Sequence, residues 1–180
     1  LGYRSRAAFK LIELNKKFKF IKKNTKLLDI GAYPGGWAQV ANKVITVGKI
    51  LAIDLKKIEK LEKVSFLQCD FLKESSKKEI FKFFEGNIDV ILSDMAADTT
   101  GNKSLDCIRT NQLCSQVIEF SSNILKPKGV LVSKIFMGDD FIETKKLAKS
   151  RFQKVQFFKP EASRSESKET YLHCAILKTL

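Results

Sequence analysis

Leu27-Leu28-Asp29-Ile30-Gly31-Ala32-Tyr33-Pro34-Gly35-Gly36-Trp37 reads as a buried strand, a glycine-rich turn and the start of a helix. Leu27, Leu28 and Ile30 make the short apolar run expected of a strand inside a parallel sheet. Gly31 permits the sharp turn at the strand's end, because it tolerates positive φ. Tyr33 precedes a proline and is held extended. Gly35 and Gly36 let backbone approach a ligand, and Trp37-Ala38-Gln39-Val40-Ala41 opens a helical pattern. Ligands of the nucleotide type bind at such strand-to-helix turns, at the carboxyl ends of strands.

The loop is G-x-x-x-G-G and lacks the G-x-G-x-x-G spacing of pyrophosphate binding. Asp54 ends the next apolar run, Ile50-Leu51-Ala52-Ile53. That is close to the ~20-residue offset of a carboxylate that holds ribose hydroxyls. The pattern calls for a nucleoside-like ligand with a ribose and no diphosphate, which S-adenosylmethionine satisfies. A tight βα turn without ligand explains the glycines but not the distal aspartate.

Outward from this unit, strands and helices alternate. Strands are expected at 26–31, 49–55, 64–71, 88–95, 130–136, 153–158 and 170–177, and helices at 5–18, 36–47, 75–85, 105–125 and 139–150. Ser5 reads as the N-cap of the first helix. Lys126-Pro127-Lys128-Gly129 reads as a turn. Alternating βα units imply a parallel sheet flanked by helices. The last two strands are joined by a polar loop too short for a crossover helix, so they should pair antiparallel. Residues 1–180 are expected to form one domain.

The chain of 180 residues carries a formal net charge of +13. Residues 1–26 hold nine Lys/Arg against one acid, Glu13. Residues 145–168 hold eight against Glu161 and Glu166. Such an excess points to a polyanionic partner, nucleic acid before anionic membrane. No apolar run approaches the ~18 residues of a membrane span. Cys69, Cys107, Cys114 and Cys174 form no C-x-x-C pair, so neither a zinc site nor a disulfide framework is expected. Each reads as a small core residue in a reducing compartment, and His173 as a packed histidine. The chain begins at Leu1 and reads as a trimmed fragment, which leaves cytoplasm, nucleus, nucleolus or mitochondrion open.

Asp29, Asp54, Asp70 and Asp94 fall at or near the ends of the first four strands, positions that converge on one cleft in a parallel sheet. Asp54 would hold ribose. Asp70 would accept from an adenine amino group, with Phe71 as an apolar wall. Asp94 would sit near the reacting sulfonium. Lys134 lies inside the apolar run Val132-Ser133-Lys134-Ile135-Phe136. A lysine there is costly unless paired or functional. It reads equally as a general base on a hydroxyl and as a lysine snorkelling from a strand end.

Five stretches in this order resemble the FtsJ/RrmJ family of S-adenosylmethionine-dependent RNA ribose 2′-O-methyltransferases. They are Arg4-Ser5-Arg6-Ala7-Ala8-Phe9-Lys10-Leu11, the loop from Asp29 to Trp37, Ser93-Asp94-Met95-Ala96, Ser133-Lys134-Ile135-Phe136, and Ser163 to Tyr171. The resemblance implies a Lys-Asp-Lys-Glu catalytic tetrad at Lys10, Asp94, Lys134 and Glu169. It implies cofactor contacts at Gly35, Trp37, Asp54, Asp70 and Asp94. The residue-level reading adds Gly31, Gly36 and Phe71. It implies a Rossmann-like class I methyltransferase fold, with seven strands in the order 3-2-1-4-5-7-6 and strand seven antiparallel. Ala97 stands where family members often have proline, and Ser133 where an apolar residue is usual. Family members act on large-subunit ribosomal RNA, transfer RNA anticodon loops or messenger RNA caps. The Ser-Asp-Met-Ala loop most resembles the ribosomal branch, which implies a uridine of large-subunit RNA as target and a monomeric enzyme. A non-catalytic RNA-binding module and a nicotinamide oxidoreductase are the rival classes. The absence of G-x-G-x-x-G speaks against the second.

Overall fold

A computed structural model describes residues 2–179. In chain order the elements are α1 (Ala7–Phe18), β1 (Lys26–Ile30), α2 (Gly36–Val44), β2 (Lys49–Asp54), β3 (Val64–Gln68), α3 (Glu74–Phe84), β4 (Ile88–Ser93), α4 (Lys103–Ile124), β5 (Leu125–Phe136), α5 (Phe141–Arg151), β6 (Phe152–Phe158) and β7 (Glu169–Leu177). The seven strands form one sheet in the order β3-β2-β1-β4-β5-β7-β6. β1 to β5 pair in parallel, and β7 runs antiparallel to both β5 and β6. Both the alternation and the short final connection thus have the expected consequence.

Successive strand residues point to opposite faces, and β1 uses both. Leu28 and Ile30 join Ile91, Val117, Ile118 and Leu131 in the core under α3, α4 and α5. Leu27 joins Leu11, Leu14, Trp37 and Val90 in the core under α1 and α2. Asp29 takes the α2 side by the same alternation.

Several boundaries differ from the sequence-based expectation, each for a local reason. Ser5 does not cap α1; Arg6 holds that position without a side-chain bond, and the Ser5 hydroxyl is buried without a partner. α2 stops at Val44 because the Thr46, Val47 and Gly48 amides all donate to the Lys23 carbonyl. Only glycine fits at Gly48, since a Cβ there would lie 1.9 Å from the Thr25 oxygen. β3 stops at Gln68, and Asp70 turns the chain by accepting the Leu72 amide at 3.0 Å. Lys126-Pro127-Lys128-Gly129 is not a separate turn. It lies in the first part of β5, where the register against β4 shifts between Ile88 and Val90. Proline lacks the ladder N–H and is tolerated at such an irregularity.

Candidate functional site

The turn after β1 is shaped by close approach. Gly31 has φ +73°, and a Cβ there would sit 2.6 Å from Met95 Cγ. A side chain would therefore push apart the tips of β1 and β4. The Gly31 and Ala32 amides donate to the Ile53 carbonyl, each at 3.0 Å, and the Tyr33–Pro34 peptide is cis. Gly35 and Gly36 serve another contact than the one expected. A Cβ on Gly35 would meet the Arg4 guanidinium at 3.0 Å, and one on Gly36 would clash with the Ser5 hydroxyl. Arg4 donates to the Glu59 carbonyl at 2.7 Å and the Lys60 carbonyl at 3.1 Å. Trp37 is buried, and its indole N–H donates to the Ala7 carbonyl at 2.7 Å. These three residues seat the N-terminal segment on α2, and none of them lines the cleft beyond the strand ends.

That cleft, of about 320 Å³, is lined by Gly31, Asp54, Asp70, Phe71 and Asp94, with Ile53, Leu55, Leu72, Met95 and Leu113 among its apolar walls. Asp54 accepts the Tyr33 amide at 2.9 Å and the Lys56 amide at 2.8 Å, which fixes its carboxylate at the rim. Phe71 is buried edge-on against Phe120, with ring centroids 5.2 Å apart. Asp29 does not join the other three aspartates. It is fully buried on the α2 face, and neither carboxyl oxygen has a hydrogen-bond partner. Burial, with Asp94 and Asp54 adding repulsion, raises its pKa to about 8, which favours the protonated acid.

β4, β5, β7 and α1 bring the four remaining candidates together. Ser93 pairs with Ser133, Lys134 with Tyr171, and Phe136 with Glu169. Glu169 and Tyr171 are two apart and share the face of Lys134. Lys134 Nζ lies 3.2 Å from Asp94 Oδ1 and 3.3 Å from Glu169 Oε2. Lys10, from α1, lies 2.7 Å from Glu169 Oε1. Burial pulls the Lys134 pKa down, but the two carboxylates outweigh it and leave the value above that of an ordinary lysine. Glu169 is pushed up by burial and more than pulled back by Lys134, Lys10 and the Ser163 hydroxyl, so its pKa is lowered. The snorkelling reading of Lys134 does not hold, because its ammonium ends in a buried ion-pair network.

A second cleft, of about 330 Å³, opens on the other side of the network and is lined by Arg6, Lys10, Arg164, Ser167 and Glu169. Asp94 lines the first cleft and Glu169 the second. Lys134 bridges the two. Among the described residues no group of three His, Cys, Asp or Glu is arranged to hold a metal ion.

Three residues in or beside the network were not singled out from the sequence. The Tyr171 hydroxyl donates to Asp94 Oδ1 at 2.6 Å, and the Ser163 hydroxyl to Glu169 Oε1 at 2.9 Å. Both lie in the stretch 163–171 that already carried the resemblance. Glu13 accepts the Glu161 amide at 2.6 Å and the Ala162 amide at 3.0 Å, docking the β6–β7 loop onto α1. Its signal was being the single acid among nine basic residues.

The sheet order, the antiparallel seventh strand and a carboxylate-rimmed cleft at the strand ends define a Rossmann-like class I methyltransferase fold. The FtsJ-like methyltransferase family matches residues 3–177. The ribosomal RNA large subunit methyltransferase E of Rickettsia akari is 47% identical over 177 residues, covering 95% of this chain and 78% of its own. That of Pelagibacter ubique is 42% identical, covering 98% and 87%. A crystal structure from Plasmodium falciparum, assigned as a ribosomal RNA methyltransferase, superposes with a TM-score of 0.85 at 33% identity, over 97% of this chain and 98% of the other. The chain belongs to the FtsJ-like methyltransferase family.

Proposed function

We propose that this chain, acting as one domain over residues 1–180 and as a monomer, transfers a methyl group from S-adenosylmethionine to a ribose 2′-hydroxyl of RNA, a uridine of the large ribosomal subunit. The observation that carries the reading is Lys134, an ammonium held between two carboxylates that line one cleft each. Transfer of this kind needs an electrophile on one side, a hydroxyl on the other and a proton-handling group between them. The names of the Rickettsia and Pelagibacter relatives support the ribosomal substrate.

The first cleft has the chemistry that S-adenosylmethionine requires. Asp54 offers carboxylate oxygens for ribose hydroxyls, Asp70 an acceptor for the adenine amino group, and Phe71, Leu72 and Leu113 apolar walls. Gly31 lines the same cleft and keeps the β1 tip against Met95. Gly35, Gly36 and Trp37 act one step removed, by seating Arg4 and α1 against the loop. The cofactor supplies a methyl on a sulfonium, an electrophile that needs no protein nucleophile. Asp94 gives the cationic end a carboxylate partner and holds Lys134.

Lys10 and Glu169 fix the target ribose in the second cleft, while Arg6 and Arg164 meet its phosphates. Lys134 Nζ handles the hydroxyl proton. It rests as an ammonium, so it orients the 2′-oxygen by donating to it and accepts a proton only after losing one of its own. With the cofactor bound, the methyl would pass to the 2′-oxygen as its bond to sulfur breaks and the bonding pair stays on sulfur as a neutral thioether, while the O–H proton would go to deprotonated Lys134 and on to solvent.

Replacing Lys134 by Ala should lower methyl transfer at least 10³-fold, the scale on which a general base and its positioning act. S-adenosylmethionine affinity by calorimetry should stay within a fewfold of wild type. Retained turnover in the variant would remove Lys134 from the chemistry.

A further inference from the structure

The basic charge of the first 26 residues does not stay together in the fold. Arg6 and Lys10 reach the second cleft, at the carboxyl ends of the strands. The later lysines are carried to the opposite edge. α1 runs twelve residues along the sheet, about 18 Å, and β1 begins its return at Lys26.

Local hydrogen bonds gather those lysines into one surface. Asn15 Oδ1 accepts the Phe20 and Ile21 amides at 3.1 and 2.9 Å, folding the chain back just beyond α1. The Lys23 carbonyl accepts the Thr46 and Val47 amides, each at 2.9 Å, which bolts the turn before β1 to the loop before β2. The Lys49 amide donates to the Thr25 carbonyl at 3.2 Å, and Lys26 and Lys49 are register partners. Lys16, Lys22, Lys23, Lys26 and Lys49 therefore crowd the amino-terminal edge of the sheet.

Among the described residues, Lys49 alone of these five makes an ion pair, with Glu85 at 3.8 Å. The ammonium groups of Lys16, Lys22, Lys23 and Lys26 make no hydrogen bond, ion pair or cation–π contact there. Neighbouring lysines are used differently: Lys17 lies over the Phe158 ring and Lys43 over Tyr3. Lys16 lies in the last turn of α1, where a cation suits the helix terminus; no contact among the described residues calls for a charge at Lys22, Lys23 or Lys26. Clustered like charges repel one another, and a polyanion relieves that cost.

We propose that this edge is a second RNA-backbone contact, so that a folded RNA is held at both ends of the sheet while its target ribose occupies the second cleft. The proposal rests on the RNA reading above. Phosphate is favoured over an anionic membrane by the surroundings. Among the described residues Val47 is the one large apolar residue exposed on this surface, whereas a membrane-seated basic face needs an apolar face to bury. β1 alone separates the edge from the cleft by its five residues, about 16 Å. A single nucleotide does not bridge that distance. Contact at both ends needs a long or structured RNA.

The test is the triple variant Lys16→Ala, Lys22→Ala, Lys23→Ala. All three side chains are exposed and none belongs to the catalytic network. Equilibrium binding is measured against unmodified large-subunit RNA and against a short oligonucleotide carrying the target uridine, over a salt series, with methyl transfer alongside. For the long RNA we expect affinity to fall about tenfold or more, and the slope of log K against log salt to shallow by about 2–3. Oligonucleotide binding and kcat should not change. An unchanged salt slope on the long RNA, an equal loss on the oligonucleotide, or a loss confined to phosphatidylglycerol vesicles would each overturn the proposal. Absence of methyl transfer by the unmutated protein would instead count against the function, and the binding data would still decide the edge.

Discussion

Lys134 draws its properties from its neighbours rather than from its type. An isolated lysine in an apolar strand would lose its proton on burial. Here Asp94 and Glu169 more than reverse that effect. If Lys134 must shed its proton before it can take another, the rate of transfer should climb about tenfold per pH unit between pH 7 and pH 9. A flat profile over that range would restrict Lys134 to orienting the hydroxyl as an ammonium. Asp29 and His173 make opposite predictions for stability. Asp29 titrates near 3.8 when unfolded and at about 8 in the fold. The folded state therefore holds the extra proton, and stability is lost as pH rises through that window. His173 falls from 6.5 to about 4, chiefly through burial, with its ring stacked 4.0 Å from Phe18. Here the unfolded state holds the extra proton, and stability is lost as pH falls from 6.5 toward 4. Each slope is about 1.4 kcal/mol per pH unit. Between about pH 4 and 6.5 the two slopes offset one another in the wild type, so urea midpoints should show Asp29→Asn unmasking a loss as pH falls through that range and His173→Phe unmasking a loss as pH rises through it; variants that keep the wild-type slopes would refute these assignments. That Lys134 needed charged partners was legible because a charged residue interrupts an apolar run. The separation of Asp29 from Asp54, Asp70 and Asp94 was not. All four sit near strand ends, and only the alternation of β1 decides which face a side chain takes.

Among the elements, α1 and the β6–β7 loop form a jaw around the second cleft. The loop is braced internally: Lys159 donates to the Ser165 carbonyl at 3.2 Å and also to that of Ser167. Glu13 then fastens it to the helix. Charge-assisted bonds of this kind are worth about 1.5–3 kcal/mol where they are partly shielded. Glu13→Ala should raise KM for RNA about tenfold, with kcat and S-adenosylmethionine affinity nearly unchanged. A fall in kcat with constant KM would show that the loop serves the chemistry instead. Glu13 stood out as the single acid of a basic stretch and Arg4 as part of a motif, but the partners of neither could be read from local pattern. Their partners lie far along the chain and are backbone groups, and a backbone carbonyl or amide leaves no mark on residue identity. The helices themselves were readable from their alternation with apolar strand-like runs. Their ends moved where a distant carbonyl, such as that of Lys23, captured the final amides.

At the scale of the molecule, one sheet divides the labour. Its carboxyl edge holds the carboxylate-rimmed cleft, the ion-pair network and the second cleft. Its amino edge carries unpaired lysines. The parallel sheet and the antiparallel last pair followed from βα alternation and from the short polar link before β7, because connection length constrains topology strongly; the strand order itself came from the family resemblance. The distribution of charge did not follow, since residues 1–26 form one basic block in the sequence but run the full height of the sheet in the fold. A chain with a net charge of +13 that works on RNA should show steep salt dependence of binding at both edges. The most direct test of the account is transfer of labelled methyl from S-adenosylmethionine to unmodified large ribosomal subunits, followed by alkaline hydrolysis of the RNA. A 2′-O-methyl blocks strand cleavage at its own nucleotide, so the account predicts label in an alkali-resistant dinucleotide containing uridine, lost in Lys134→Ala. Label released in a mononucleotide carrying a methylated base, or label on transfer RNA with none on the subunit, would contradict it.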